Sequence, residues 1–302
     1  MFRNLTLYVF PRGFDLSNLH ERLADHALQP VPATALASSG FVPPLGQAAG
    51  DTPQLAHTVN GAIWIAHGTE TRMLPAAVVA RELAERLNAY KQQHGNVGAI
   101  GRQKIKEALV AELLPRAFVH PRRTDAILDT QLGVMLVDTG SRKTAEAVLT
   151  QLRAALGSFP ALPINAEIKP HAVMTGWLAG DALPDDVELG DECLLRDPVD
   201  KSAVVRITNI ALDGIEIQAC LETGMQAERL ALMLGDHASF VLGDDLVLRK
   251  FRLLDAAIEQ LEDTDCDSMA AELDARFALM VGEFRRVFAV LQRALKISRM
   301  EG

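Results

Sequence analysis

Hydrophobic positions recur with two periods along the chain, and the changes between them mark out its elements. Phe2, Leu5, Leu7, Tyr8, Val9 and Phe10 form a β-rich run closed by Pro11, which predicts a first strand over residues 2–10. Leu16, Leu19, Leu23 and Ala27 then return at helical spacing, predicting a helix over 15–28 with Asp15 as its N-cap. A loop-rich stretch follows, with GFVPP at 40–44 and GQAAGDTP at 46–53. Asn60-Gly61 separates apolar runs at 56–59 and 62–67. Both residues tolerate positive φ, so this is a hairpin.

Period 3.6 resumes at Pro75. Val78, Val79, Leu83 and Leu87 mark a helix over 75–93; Ile105, Leu109 and Leu113 mark a second over 102–114, stopped by Pro115. Glycines 95, 98 and 101 between them read as a flexible tip. Strands are predicted at 117–120, 125–129 and 132–137. A helix follows to Leu156, with Ser141 as N-cap and Gly157 just past its end. Residues 16–32 run as a helix and then QPVP, and residues 142–163 as a helix and then FPALP, each helix following a strand, a thin echo of two related units.

The last third predicts a short helix ending at Thr175–Leu178 and an acidic loop over 181–200. Strands follow at 203–209, 214–221, 237–242 and 246–253, then a long helix from Ser268 to Ile297. Strands and helices are segregated rather than alternating. The fold class is therefore α+β: a β-rich centre, an inserted helical hairpin and a C-terminal α+β region. The expected domains are 1–74 with 117–168 as centre, 75–116 as a helical insert, and 169–302 as a base.

Composition adds little until charge is mapped. The 302 residues are 49% hydrophobic and carry a net charge of −9, which excludes a uniformly basic nucleic-acid coat. Cys193, Cys220 and Cys266 are too few and too scattered for a disulfide scaffold, which fits a reducing cytoplasm. No run of 18 apolar residues occurs and the N-terminus lacks an apolar leader, so no membrane association is expected.

Residues 72–123 hold ten basic residues against four acids, a local +6. Residues 181–200 carry −7 and residues 255–274 carry −8. Such segregation points to a polyanion-facing surface. Solvated helix faces account for the same charges with no ligand at all. Lys91, Arg102, Lys104 and Lys106 flank the glycine-punctuated tip. Arg102 and Lys106, four apart, share a face, with Ile105 and Leu109 expected on the buried one. Arg116, Arg122, Arg123, Arg142, Lys143 and Arg206 complete the candidate DNA-contact set.

Motifs for chemistry are largely missing. Lys143-Thr144 lacks the glycines of a phosphate-wrapping loop, although Arg142 and Lys143 at a helix start suit one backbone phosphate. DTDCD at 263–267 begins like a calcium loop but has Ser268 and Asp274 at the required glycine and glutamate positions. The eight histidines form no metal-binding spacing, and no nucleophile motif occurs. No catalytic residue, metal or cofactor is assigned, and a non-enzyme is expected. Aromatic residues at 5% are too sparse to interleave with the basic segment, so backbone phosphate contact fits better than base stacking.

Several segments together resemble the recombination-associated protein RdgC family. They are FRNL at 2–5, GFVPP at 40–44, LLPRAF at 113–118, the block from Ile127 to Pro163, TGW at 175–177 and FALMVGEF at 277–284. The resemblance covers nearly the whole chain in order. It implies a cytoplasmic, nucleoid-associated protein that binds DNA without sequence preference, limits RecA, and forms a ring-shaped homodimer around a basic hole. The helical insert would be the tip where the ring closes, which makes Leu113, Leu114 and Phe118 candidate dimer contacts. The sequence departs from the family pattern in places. Arg3 replaces a frequent lysine, Arg276 stands at a commonly acidic position, and Ile207–Ile210 is less basic than in some relatives, leaving Arg206 alone on that strand. A protein-interaction adaptor that uses its acidic segments is the competing reading.

Overall fold

The structure, a computed structural model, describes residues 2–46, 54–262 and 268–300. The DTDCD segment and Cys266 lie outside the described residues. The chain divides into two compact units. The larger comprises residues 1–25, 43–66 and 124–302; the smaller comprises 26–42 and 67–123. Among the described residues there are twelve strands and eight α-helices, so the expected α+β class holds. No helix is long and apolar enough to cross a membrane among the described residues.

In the larger unit, β1 (Leu5–Val9) is buried at every position because both its faces are covered. Leu5, Leu7 and Val9 enter the main core, while Tyr8 turns the other way and its hydroxyl donates to Glu146 Oε1 at 3.0 Å. Burial and that carboxylate together hold the Tyr8 phenol well above its ordinary pKa. β1 pairs antiparallel with β6 (Val134–Asp138) and, at Leu5, with β12 (Leu248–Leu253). From β12 the sheet continues through β11 (Ala238–Gly243), β10 (Gln226–Leu234) and β8 (Val187–Arg196) to β9 (Val204–Thr208). β7 (Leu162–Pro163) adds a short pairing to β1.

The hairpin of β3 (Ala56–Val59) and β4 (Ala62–Arg72) turns at Asn60 and Gly61 as expected, both at positive φ (50° and 75°). β5 (Val119–Asp129) is one eleven-residue strand where two short ones were expected. The turn from β5 to β6 requires Gly133: its φ is 68°, and a Cβ there would meet the Phe10 carbonyl oxygen at 2.5 Å. α4 (Arg142–Leu156) starts as predicted, with Ser141 Oγ accepting from the Thr144 amide, and ends at Gly157 with φ 73°. α1 (Leu19–Ala24), α5 (Pro170–Leu178) and α6 (Ile215–Glu222) are shorter. α7 spans Asp255–Glu262.

The long helix α8 (Met269–Leu295) organises the core. Phe277, Met280, Val281, Phe284, Val287, Phe288, Leu291 and Leu295 are buried at spacings of three and four, over a length of about 40 Å. Ser268 Oγ caps it by accepting from the Ala271 amide. Trp64 lies 5.4 Å from Phe277, ring centre to ring centre, and donates through Nε1 to Asp125 at 2.8 Å.

Local expectations failed in identifiable ways. Asp15 is not an N-cap: its carboxylate accepts from the Ser17 amide and hydroxyl, closing a turn before a helix that starts only at Leu19. Residues 215–222 form α6, not a strand. Ile217 is buried with Leu221 partly buried behind it, at helical spacing, while Ile215 is exposed. The acidic stretch 181–200 contains β8, the expected loop around residues 40–44 begins inside a strand over Ala37–Val42, and β10, β7 and α7 carried no prediction.

The smaller unit combines β2 (Ala37–Val42), the C-terminal half of β4 and the N-terminal half of β5 with two helices. α2 (Ala76–His94) and α3 (Ala99–Leu113) form the expected hairpin, followed by a single 3-10 turn at Leu114–Arg116. Gly101 lies inside α3 rather than in the tip loop. In the three helical segments the buried residues are only Leu83, Leu109 and Leu114.

Candidate nucleic-acid interface

The smaller unit concentrates positive charge. It holds ten Lys or Arg against five Asp or Glu, net +5 within a chain of net −9. Not all of this charge is available. Arg86 pairs with Glu112 at 2.6 Å and Arg81 with Glu82 at 3.1 Å. Arg72 is structural: its guanidinium donates to the carbonyls of Leu114 (3.1 Å), Val31 (3.2 Å) and Pro32 (3.3 Å). By contrast Lys91, Arg102, Lys104, Lys106, Arg116 and Arg122 are exposed and make no ion pair among the described residues. Arg123 is exposed as well.

The basic side chains of α3 do not form one stripe. At about 100° per residue Lys104 stands roughly 160° around the helix from Lys106. Leu109 is buried and Ile105 only half-buried, and Leu109 follows Lys106 by one short turn on an adjacent face. The positive charge therefore surrounds the tip end of the hairpin instead of lining one side. Such an arrangement meets phosphates from several directions and reads no base pattern.

Leu113, Leu114 and Phe118 take three different environments. Leu114 is buried in its own chain, Leu113 is half-buried, and Phe118 is 84% exposed. Phe118 has exposed apolar neighbours. Its carbonyl accepts from the Met73 amide, Arg72 pairs through its amide with Leu36, and Leu36, Met73 and Val119 are all exposed. These residues form an apolar edge at one end of the three-stranded sheet.

In the larger unit, Arg142 and Lys143 are exposed at the start of α4, where Arg142 donates to the Asp245 carbonyl at 3.3 Å. Arg206 on β9 is directly opposite Leu194, which is opposite Arg229 on β10. Directly opposed residues point to the same face, so Arg206 and Arg229 share a row about 10 Å apart. Arg206, Arg229 and Arg252 make no ion pair among the described residues. Arg229 was invisible to pattern reading because β10 went unpredicted, and Arg252, on the predicted strand β12, because register is a tertiary property. Their neighbours are neutralised. Arg196 pairs with Glu228, Lys250 with Glu192, and Arg249 with Asp245. Burial raises the Asp245 carboxyl, but the hydrogen bonds from Arg249 outweigh it and hold the group below the usual carboxylate range. Asp244 goes the other way, pushed up by burial and then by Asp245 beside it.

Among the described residues, no three His, Cys, Asp or Glu converge in a geometry suited to a metal ion. A family model described as "RdgC: Putative exonuclease, RdgC" matches residues 1–298. The chain is 47% identical over 301 residues to the recombination-associated protein RdgC of Xanthomonas campestris pv. campestris (strain B100), covering 99% of both chains. It is 46% identical over 301 residues to the protein of that name from Xanthomonas axonopodis pv. citri (strain 306), with the same coverage. To that of Xylella fastidiosa (strain 9a5c) it is 45% identical over 299 residues, 99% of this chain and 98% of the other.

Proposed function

The chain belongs to the RdgC family, and from that premise we propose that it is a sequence-independent DNA-binding protein that restrains RecA-dependent recombination without catalysing a reaction. The observation that carries this reading is the set of exposed, unpaired cations of the smaller unit, four of them on a hairpin with almost no core of its own. A side chain already committed to a carboxylate gains little from a phosphate. Lys91, Arg102, Lys104, Lys106, Arg116 and Arg122 carry no such commitment. The name shared by the curated relatives ties the fold to recombination, and the family resemblance supplies RecA as the affected partner.

The working assembly in this proposal is a homodimeric ring in the nucleoid, with 75–116 as the closing tip, 1–74 and 117–168 as the centre and 169–302 as the base. The exposed Phe118 edge supports a contact between copies, because an aromatic ring at 84% exposure costs apolar hydration that a partner removes. The adaptor alternative, in which acidic segments recruit a basic partner, has β8 and its ion pairs to draw on. It leaves the unpaired cations without a role.

Affinity for mixed-sequence duplex, measured against salt, tests the reading. Neutralisation of six to ten phosphates predicts a loss of about 10³–10⁵ between 50 and 200 mM salt, with little effect of sequence. RecA-catalysed strand exchange should slow in proportion to occupancy. A shallow slope, strong sequence preference, or breakdown of DNA by clean protein contradicts the proposal.

A further inference from the structure

We propose that the open face of β2, β4 and β5 in the smaller unit is a phosphodiester cradle, a site that deepens the DNA-binding reading and rests on it. The face is built by strand alternation. Ala37 and Ser39 of β2, Thr69 and Thr71 of β4 with Met73 just past its end, and His120 and Arg122 of β5 line one cleft of about 480 Å³. The opposite face is closed by the chain's own residues. There Glu70 accepts from the Val31 amide at 3.0 Å, and Arg72 holds the carbonyls of Val31 and Pro32.

The chemistry of the open face is one-sided. Ser39, Thr69 and Thr71 bring hydroxyls to it beside an imidazole and a guanidinium, and no carboxylate lines it. The clefts of the larger unit differ. One cleft there has Asp191 and Glu192 beside Lys250 and Arg252, and another has Asp185, Asp186 and Asp236 beside Arg286 and Arg293. Ser39, Thr69, Thr71 and Arg122 have no side-chain hydrogen-bond partner among the described residues. His120 donates through Nδ1 to the Pro121 carbonyl at 2.9 Å, which fixes the orientation of its ring. Uncommitted hydroxyl donors beside one uncommitted cation match a singly charged phosphodiester: the guanidinium meets the charge and the hydroxyls meet the remaining oxygen lone pairs. A base edge would need donors and acceptors in a fixed planar pattern, which a row of rotatable hydroxyls does not supply.

Two variants of the full chain test the cradle, each compared with wild type on mixed-sequence duplex across a salt series. Thr69→Val with Thr71→Val removes two hydroxyls at constant shape and charge. Affinity should fall about fivefold or more while the salt slope stays unchanged. Arg122→Gln should lower the magnitude of the slope by about 0.9 for each subunit touching DNA. In wild type carrying labelled threonine and alanine methyls, inorganic phosphate should shift Thr69, Thr71 and Ala37, and Arg122→Gln should abolish those shifts. If wild type binds DNA with a steep slope but both variants keep its affinity and slope, the cradle is overturned and the wider reading stands. If phosphate shifts these methyls in a wild type that does not bind DNA, the anion site stands and the DNA reading falls. Arg122→Gln should weaken duplexes with 5′-hydroxyl and 5′-phosphate ends equally. A loss confined to 5′-phosphate ends would overturn the backbone assignment in favour of a terminal phosphate.

Discussion

The Arg72 guanidinium donates to the Leu114 carbonyl at 3.1 Å, joining the end of β4 to the turn by which the chain leaves the helical hairpin. Further bonds to Val31 and Pro32 tie the segment before β2 to the same group. One side chain thus fastens both ends of the helical insert to the strands that carry it. Lysine keeps the charge but cannot fork to carbonyls in different directions. Arg72→Lys should lower stability by about 1–3 kcal/mol, with hydrogen exchange accelerated first across residues 26–42 and 114–118. Unchanged exchange there would show that the hairpin is held by other contacts.

A second anchor belongs to the larger unit. Asp129, 1% exposed, accepts from Arg285 Nε at 2.6 Å and from the amides of Gln131 and Leu132, while Arg285 also donates to the Asn60 carbonyl at 2.9 Å. The pair locks α8 to the tips of two hairpins. Asp129→Ala leaves Arg285 without its carboxylate and two turn amides without an acceptor. A loss of about 3–5 kcal/mol in chemical denaturation is expected. A loss under about 1 kcal/mol would mean that water replaces the carboxylate at no net cost.

These anchors show what the sequence could and could not convey. The hairpin at Asn60-Gly61, the cap at Ser141 and the stripe of α8 were legible because each is set by residues within a few positions of one another; the cap at Ser268 is seen only in the structure. Strand β10 was missed, and with it the row joining Arg206 to Arg229, because the pairing between strands is a tertiary property that local spacing does not carry. Ile215–Glu222 was misread because Ile215 and Ile217 alternate over three residues, whereas the burial of Ile217 with Leu221 behind it selects the helix. The candidate cations were legible as a cluster. Which of them are already spent on carboxylates or carbonyls was not: Arg72 and Arg86 look the same as Arg122 until partners are seen.

Phe118 and Leu114 separate assembly from folding. Leu114→Ala removes a buried side chain and should cost about 2–5 kcal/mol of stability. Phe118→Ala changes a ring that is 84% exposed and should leave the melting temperature nearly unchanged. Sedimentation should then show a weakened dimer for Phe118→Ala, with DNA retained for a shorter time. A fully dimeric Phe118→Ala variant would place the contact between copies elsewhere.

Burial pushes the Cys193 thiol up to about 11, with Cys220 and Glu192 adding to it. The thiolate is the reactive form, so Cys193 should resist alkylation at pH 8 in the folded protein and react once denaturant exposes it. Mass mapping after a short iodoacetamide pulse reads this directly. Rapid native labelling of Cys193 would contradict the burial of β8 against the core.

In the proposed function the unpaired cations of the helical hairpin hold DNA by its phosphates. Arg102→Ala, Lys104→Ala and Lys106→Ala together remove three exposed charges that make no ion pair among the described residues, so stability should change little. The salt dependence of duplex affinity, measured for this variant beside wild type, is the most direct measurement. The slope should be shallower by up to about 3 for each subunit touching DNA, in a folded protein whose oligomeric state is unchanged. An unaltered slope in such a variant would contradict it and move the phosphate contacts away from the hairpin, to Arg122, Arg123, Arg142 and Lys143.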